Sequence, residues 1–292
     1  MFKYIKKFNT HAEYESFISE DFIKPNVSLC VEENEVHYND LTNYSNEYLT
    51  FIAKESGAFT FTPQESNVIS YSIDGGETWT EGNTVSVSNG DKVMWKGTMT
   101  SGTFPLQGIG RFSSTANFDV QGNIMSLLYG DNFKEETDLT GKDNTFWRLF
   151  YQNTKIINAE NLSLPATTLV SNCYSGMFGG CTSLVNAPEL PATTIASNCY
   201  QNMFNGCTSL TTAPELPATA LASYCYNYMF RDCTSLNYIK AMFTTTPSDD
   251  YTMFWVSGVA ASGTFVKNAA AEWDVSGVNG IPNGWTVETA SE

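Results

Sequence analysis

The chain has 292 residues, and its 31 acidic against 15 basic side chains give a formal net charge of −16. Such a polyanion is repelled by phosphate backbones and by anionic lipid surfaces, which argues against nucleic-acid partners and peripheral membrane binding. No apolar run is long enough to cross a bilayer, and the opening MFKYIKKF turns polar without the apolar stretch of an export signal. We therefore expect a protein made in a cytosol, without a signal peptide and without membrane insertion.

Residues 1–46 form the first predicted segment, which contains too little apolar material for a core of its own. Its beginning places aromatic side chains among charges, and the stretches 24–30 and 35–38 have the pattern of extended chain. We expect this segment to dock on the rest of the chain or on a partner. The apolar side chains expected to make the contact are Tyr4, Phe8, Tyr14, Phe17, Val36 and Tyr38.

Residues 47–121 show short runs in which apolar and polar residues alternate. Examples are LTFIA from Leu49 and TVSV from Thr84, and turn residues such as Asn89-Gly90 separate the runs. Alternation with a period of two is typical of half-buried strands, and several short strands in succession indicate two packed sheets. The sequence therefore predicts a small β-sandwich domain.

The segment Ser72–Trp79 has the spacing Ser-x-Asp-x-Gly-x-Thr-Trp. This spacing predicts a tight hairpin in which Asp74 accepts backbone hydrogen bonds, Gly76 takes a positive φ and Trp79 covers the sheet. The motif resembles the Asp-box of sialidases and other β-propeller proteins, where it is structural and lies away from catalysis. A sialidase also needs an arginine cluster, whereas arginine occurs here only at positions 111, 148 and 231. We expect no catalytic residue in this segment.

A 26-residue unit occurs three times in the second half of the chain, within residues 146–243. Cys173, Cys199 and Cys225 are 26 residues apart, and 17 of 25 positions match between the second and third copies. A segment beginning at Phe146 aligns with the units at an offset of 28 residues, as an irregular first copy at the end of an array would. A fixed period of this length indicates stacked repeats, and hence a scaffold, since catalytic groups are rarely needed in triplicate.

Each unit is predicted to contain one short helix and one extended arm. In the second copy, residues 192–194 offer an N-cap. An apolar stripe then follows at i, i+4 and i+8, formed by Ile195, Cys199 and Met203, and Gly206 would end the helix. Because such a unit must stack on its neighbours to bury the stripe, the sequence predicts an α/β solenoid.

Six of the seven cysteines belong to the repeats. An extracellular setting would pair them as disulfides, whereas in a reducing cytosol they would be small buried apolar residues stacked in register. We favour free thiols, including a lone one at Cys30, because no export signal supports oxidation. Zinc is not expected, since there is no Cys-x-x-Cys pair and the only histidines are His11 and His37.

The phrase Met-Phe-x-x-Cys-Thr-Ser-Leu, which closes each repeat, resembles the BspA-type leucine-rich repeats found in surface proteins of gut Bacteroidetes. The resemblance covers about residues 146–243, and residues 263–268 and 280–287 look like the closing segment that often follows such repeats. It implies a leucine-rich-repeat solenoid with a C-terminal cap over residues 244–292. The stretch Ala-Pro-Glu-Leu-Pro departs from the usual repeat, in which a more apolar strand is expected.

A second resemblance concerns the N-terminal segment. Residues 6–14, 24–28 and 34–39 look like the opening of virion proteins from phages of gut Bacteroides, including crAss-like phages. That resemblance implies an N-terminal anchor to the particle and distal domains that face the medium. Release by lysis of the host would explain an outward-facing protein without a signal peptide. By analogy with fibre proteins it also suggests a homotrimer.

Two groups of side chains stand out as candidates for recognition. Tyrosines occur in the third repeat where the second has asparagines, so they are candidates for a surface contact, although packing against the C-terminal cap explains them equally well. Glutamates recur at equivalent positions of the Ala-Pro-Glu-Leu-Pro stretches. The candidates are Tyr224, Tyr228, Glu189 and Glu215.

The acidic pairs Glu32, Glu33, Glu35 and Asp249, Asp250 could serve as paired carboxylates for glycoside hydrolysis or as calcium ligands. Neither group has a supporting constellation, so a solvated acidic face is favoured. With two histidines and no nucleophile elbow or phosphate-binding loop, the sequence predicts no catalytic residue, no metal and no cofactor.

These patterns together predict a multidomain fold. Its parts are an N-terminal anchor (1–46), a β-sandwich domain (47–121), a bridge with a short helix near Met125–Leu128 (122–145), an α/β leucine-rich-repeat solenoid (146–243) and a C-terminal cap (244–292).

The predicted function is a non-enzymatic phage virion structural protein, namely a head fibre, a decoration protein or a tail-associated component. It would bind other virion proteins through its N-terminal segment and present its outer domains to a host surface protein or glycan. Its location would then be the virion, after synthesis in the cytoplasm of the bacterial host. The alternative is a bacterial surface adhesin of the BspA type, which needs an export route that the sequence does not show.

Overall fold

The computed structural model describes residues 4–7, 27–32, 35–40, 44–64, 67–98 and 108–290. The chain divides into two compact units, Met1–Tyr44 and Ser45–Glu292. The first unit contains an antiparallel sheet in the order β1-β3-β2. Its strands are β1 (Tyr4–Lys7), β2 (Val27–Glu32) and β3 (Glu35–Asp40). The predicted extended stretch 35–38 lies in β3 and is confirmed. The stretch 24–30 is confirmed for 27–30, while 24–26 lie outside the described residues.

The second unit begins with two sheets built from the alternating runs. A six-stranded sheet has the order β12-β11-β4-β9-β6-β7, and a three-stranded sheet has the order β10-β5-β8. Only the β11–β12 pair is parallel among the described neighbours in these sheets. The strands are β4 (Leu49–Ala53), β5 (Gly57–Pro63), β6 (Ile69–Ser72), β7 (Thr80–Glu81), β8 (Thr84–Val87), β9 (Lys92–Gly97), β10 (Gly110–Ser114), β11 (Phe118–Asn123) and β12 (Ile156–Ser163). The strand positions read from the alternation are therefore confirmed.

Aromatic side chains join these two sheets. The ring of Phe51 on β4 lies 5.4 Å from Phe59 on β5 and 4.8 Å from Phe112 on β10, centroid to centroid. Trp95 on β9 lies 5.2 Å from Phe112. All four side chains are buried, since one face of each alternating strand turns inward. Large ring contacts of this kind contribute most of the apolar area that holds facing sheets together.

The predicted fold class, in which a β-sandwich domain precedes an α/β leucine-rich-repeat solenoid, is wrong. Within residues 108–290, all of which are described, there are two α-helices of four residues each, α1 (Ser126–Tyr129) and α2 (Asp249–Thr252). Residues 164–237 contain neither a helix nor a strand. The protein is mostly β-sheet followed by turns. The short helix predicted near Met125–Leu128 is confirmed as α1, displaced by one residue. Among the described residues no helix has the length and apolar character needed to cross a membrane.

The repeats avoid the predicted helix because every fourth residue has a positive φ. In the second copy these residues are Asn198 (57°), Asn202 (57°) and Gly206 (74°). A right-handed helix cannot contain a left-handed residue at every fourth position, whereas asparagine and glycine adopt that conformation at low cost. The apolar stripe keeps a strict period of four for the same reason. It follows the turns and not the 3.6-residue period of a helix.

Backbone hydrogen bonds alternate between two kinds of partner in these turns. The amide of Met203 donates to the carbonyl oxygen of Tyr200 three residues earlier (3.1 Å), which closes a local turn. The next amide, of Phe204, donates to Met229 of the following repeat (3.0 Å). The same alternation runs through four segments, which we call levels one to four of the turn stack: residues 144–152, 172–180, 198–206 and 224–232. Residues 250–258, which accept hydrogen bonds from level four, are level five; they begin within α2 and keep the alternation only in part.

Columns of parallel rings fill the interior of the turn stack. Phe178 and Phe204 lie 5.7 Å apart at an interplanar angle of 4°, and Phe204 and Phe230 lie 5.8 Å apart at 5°. At level one, Phe150 stacks on Phe178 and also on Phe112 of β10, 5.8 Å away. The stack and the sheets therefore share one hydrophobic core. The contact of Phe150 with Phe178 confirms the predicted 28-residue offset of the first copy.

Of the segments between the levels, the first contains β12 and the last contains β13, and the others contain no strand. Isolated parallel bridges join neighbouring segments, for example Thr168 to Thr194, where the sequence predicts an N-cap. The final sheet has the order β13-β14-β15, and both pairs are parallel. Its strands are β13 (Tyr238–Ala241), β14 (Thr264–Lys267) and β15 (Thr286–Thr289).

All six repeat cysteines are free and buried, which confirms the predicted thiol ladder. Three of them donate their S–H to a phenylalanine carbonyl of the preceding level, at 3.0–3.1 Å between sulfur and oxygen. The pairs are Cys181 with Phe150, Cys207 with Phe178 and Cys233 with Phe204. Burial raises the pKa of Cys173 and of Cys225 to about 12, so the thiolate is suppressed. The side chain of Cys30 lies outside the described part of the chain.

Substitutions at Asn198 distinguish between a turn stack and a helix as the structure of the repeats. We expect Asn198→Ala to lower the free energy of unfolding by about 1 kcal/mol, because alanine is strained at a positive φ. Asn198→Gly should preserve it. Urea unfolding measures both. In a helix the order would reverse, since glycine costs about 1 kcal/mol relative to alanine. A more stable alanine variant would therefore contradict the turn stack.

The buried thiols should not react in the native protein. With Cys30→Ser removing the one cysteine outside the repeats, we expect a colorimetric thiol reagent at pH 9 to detect six thiols only after urea is added. The reason is the raised pKa, because the thiolate is the reactive species. An unfolded thiol ionises near pH ~8.5, so alkaline pH should also favour unfolding. Rapid labelling of several thiols without denaturant would contradict the burial.

Candidate functional site

A groove of about 420 Å³ crosses levels one to three of the turn stack. Level one contributes Trp147, Arg148, Tyr151 and Gln152; level two contributes Asn172, Ser175, Gly176 and Gly180; level three contributes Gln201, Asn202, Asn205 and Gly206. Several of these residues are the positive-φ residues of their levels. The groove therefore lies on the side of the stack where the left-handed residues form columns.

The groove exists because glycine occupies positions at which neighbouring levels have larger side chains. One column runs through Arg148, Gly176, Asn202 and Tyr228, so that glycine at level two stands between larger residues. The next column has Gly180 and Gly206 in succession. A methyl group added to Gly176 would lie 3.1 Å from Cγ of Arg148, tighter than ordinary contact. Glycine at position 176 therefore meets two requirements: it adopts a positive φ at low cost, and it leaves room for the side chain of Arg148.

Among the described residues, Arg148 is the one charged residue that lines the groove. Its guanidinium carbon lies 4.4 Å from the ring centroid of Trp147 and 4.6 Å from that of Tyr151. Both contacts are within the range of cation–π attraction, and together they hold the planar group in place. Among the described residues none forms a hydrogen bond or an ion pair with this guanidinium. Its N–H donors remain available to a ligand.

Amide side chains supply further donors and acceptors. Asn205 donates from Nδ2 to Oδ1 of Asn202 (3.0 Å), which orients both groups. The side-chain amides of Gln152 and Gln201 make no hydrogen bond to any described residue. No carboxylate from the described part of the chain lines the groove, although the chain as a whole carries a net charge of −16. The arrangement can bind a polar ligand through several hydrogen bonds and one fixed cation.

The predicted recognition residues lie partly beside this groove. Tyr224 is 44% exposed, and Tyr228 stacks on Phe254 of level five at 5.9 Å between ring centroids. Both tyrosines stand at level four, one level beyond the groove, and both have a positive φ. Of the glutamates, Glu189 is exposed, and Glu215 pairs with Lys240 at 2.9 Å between nitrogen and oxygen; neither lines the groove. Their roles stay predictions.

Sequence reasoning missed the groove itself. Its signal is the pair Trp147-Arg148 followed by Tyr151, at positions where level two has Ser175, Gly176 and Gly179. The sequence pattern identifies this segment only as an irregular first copy. Once the 28-residue offset aligns the levels, Arg148 stands beside Gly176 and Tyr151 beside Gly179, so large side chains of level one face glycines of level two.

The hairpin predicted from Ser72–Trp79 is confirmed. Strands β6 and β7 pair on either side of it. The Asp74 carboxylate accepts hydrogen bonds from the backbone amide of Thr78 (3.0 Å) and from the hydroxyl of Ser72 (2.6 Å), and Gly76 has a φ of 93°. These bonds hold the pKa of Asp74 well below its usual value. Trp79 packs 4.8 Å from Tyr48 and receives Nζ of Lys96 at 4.1 Å from its ring centroid. All these contacts are structural.

The remaining predicted positions are placed less fully. Phe8, Tyr14 and Phe17 lie outside the described residues, as does Glu33. Tyr4, Val36 and Tyr38 lie in strands of the first unit whose side chains are not described, as do Glu32 and Glu35. Asp249 and Asp250 begin α2, and the Asp249 carboxylate accepts a hydrogen bond from Asn279 at 2.5 Å. Within the part of the chain that the structure describes, no cluster of three or more His, Cys, Asp or Glu could hold a metal ion.

Comparison with known proteins identified no relative of this chain. No protein-family model, no curated protein and no solved structure matches the chain. The groove must therefore be interpreted from its own chemistry.

Proposed function

We propose that the chain is a non-enzymatic structural protein of a phage particle that binds glycans of the host surface in the groove of the turn stack. The observation that carries the binding role is the groove itself, in which a fixed arginine and unbonded amides line a cleft of about 420 Å³. The N-terminal segment, residues 1–46, attaches the chain to the particle. The partners are other virion proteins on one side and a host glycan on the other.

The composition of the groove favours a saccharide over an apolar ligand. Sugars present many hydroxyl groups, which pair with amide donors and acceptors such as those of Gln152 and Gln201. Their C–H faces stack on exposed aromatic rings, and Tyr228 and Phe254 stand farther along the same column. Hydrogen bonds from level to level hold the backbone of the groove before a ligand arrives. Preorganisation of this kind reduces the entropy lost on binding.

The residues that line the groove favour ligand binding over catalysis. General acid–base catalysis needs a histidine, carboxylate, lysine, cysteine or tyrosine within reach of the reacting group. Of these groups, the described lining contains the phenol of Tyr151, whose ring contacts Arg148; the other lining residues are arginine, tryptophan, amides, serine and glycine. Such a set is rich in groups that orient a ligand by hydrogen bonds. We therefore assign the protein to attachment.

The assignment to a phage particle rests on the N-terminal resemblance and on the form of the repeats. A stack of levels joined by backbone hydrogen bonds is a repetitive scaffold of the kind that presents a binding surface. The fold is not the leucine-rich-repeat solenoid that the BspA resemblance implied, so that resemblance no longer favours a cellular adhesin.

Deletion of residues 1–46 tests the anchor. We expect the full-length chain to be a stoichiometric component of purified particles by mass spectrometry, and the truncated chain to be absent from them. The two proteins should be expressed at equal levels, and the truncated one should unfold in urea with unchanged cooperativity, which shows that the rest of the chain folds.

Two results would contradict this proposal. Truncated chain at normal stoichiometry in particles would show that another segment is the anchor. Full-length chain on washed, uninfected cells and absent from particles would favour a bacterial surface adhesin.

A further inference from the structure

We propose that the groove selects saccharides that carry a carboxylate, such as uronic or sialic acids, and that Arg148 binds this group. The inference rests on the proposed glycan-binding function and names the class of glycan. It depends on the state of Arg148, on its neighbours and on the charge of the groove.

The guanidinium of Arg148 is positioned by aromatic rings and not by hydrogen bonds to described residues. Its carbon lies 4.4 Å from the ring centroid of Trp147 and 4.6 Å from that of Tyr151, and these contacts leave its N–H donors unused. Stacked arginine keeps its hydrogen-bonding edge free, and that edge matches the two oxygens of a carboxylate in a bidentate pair. A fixed side chain also loses little rotamer entropy when the ligand binds.

Arg231 is another arginine of the turn stack, and unlike Arg148 it is paired with an acidic side chain. It stands at level four, in the column that contains Tyr151 and Asn205, and its Nε lies 3.3 Å from the carboxylate of Asp232. Level one, residues 144–152, contains no acidic side chain, and Gln152 occupies the position that corresponds to Asp232. No carboxylate of its own level is therefore present to neutralise Arg148. The donors of Arg148 are left for a partner from outside the described chain.

The charge of the remaining surface makes this selection specific. A net charge of −16 repels anions at long range, so a polyanion gains nothing from nonspecific attraction. Only a carboxylate that reaches Arg148 gains a short-range pair, because no acidic side chain lines the groove within the ranges that the structure describes. The amides of Gln201 and Asn205 lie on the next levels, where they can bind the hydroxyl groups of the same or the adjoining sugar.

An array of paired glycans tests the inference. Host capsular polysaccharides and mucin glycans are printed before and after chemical reduction of their carboxylates to alcohols, together with sulfated glycans. We expect the full-length protein to bind at least one carboxylated glycan and to bind its reduced form at least tenfold more weakly. The affinity for the best pair is then measured by titration calorimetry.

Arg148→Gln should weaken binding of the carboxylated glycan at least tenfold and leave the reduced form unchanged. Arg231→Gln is the matched control, since it removes an arginine from the same stack outside the groove, and its affinity should stay within twofold of the original chain. Thermal unfolding of both variants checks that they remain folded.

The outcomes separate the inference from the proposed function. Equal binding of the two members of a pair, preference for sulfated glycans, or full affinity of Arg148→Gln would overturn the carboxylate selection while leaving a glycan-binding protein. Binding to no glycan of the array would overturn both the selection and the glycan contact. Incorporation into particles, tested by the deletion of residues 1–46, is independent of all these results.

Discussion

The alternation of hydrogen-bond partners along the turn stack is the constraint on which the rest of the structure depends. In levels one to four, every second amide closes a local turn, and the amide between donates to the following level. A buried amide without a partner is costly, so the levels must stay in register along their whole length. That requirement explains why the repeats keep a spacing of 26 residues and why their rings stack at nearly constant separation.

The same constraint creates the surface on which function is proposed. Because a positive φ recurs at every fourth residue, small residues such as Gly176 and Asn202 form columns on one side of the stack. A side chain exchanged at one level then changes the surface without disturbing the interior. At level one the surface residues are Arg148 and its two aromatic neighbours, and at level four Tyr228 occupies the position of Arg148. The groove therefore arises where the side chains of otherwise similar levels differ.

Part of this organisation could be predicted from the sequence. Strict alternation gave the strands from Leu49 onward, and the spacing within Ser72–Trp79 gave its hairpin, because both are set by neighbouring residues. The helix in the repeats was a wrong interpretation. Apolar residues at i, i+4 and i+8 fit a short helix and a four-residue turn equally well, and the deciding sign was the asparagine or glycine at every fourth position. The groove was missed because Arg148, Gly176 and Asn202 meet only once the levels are aligned.

Detection of scalar couplings across hydrogen bonds by NMR tests the central claim most directly. The turn stack predicts a coupling between the amide nitrogen of Tyr200 and the carbonyl carbon of Cys225, whose oxygen accepts its hydrogen bond at 3.1 Å. It also predicts that the amide of Gln201 couples to Asn198, three residues earlier. A helix would instead couple Tyr200 to Ala196, four residues earlier. That last result would contradict the turn stack, and with it the groove.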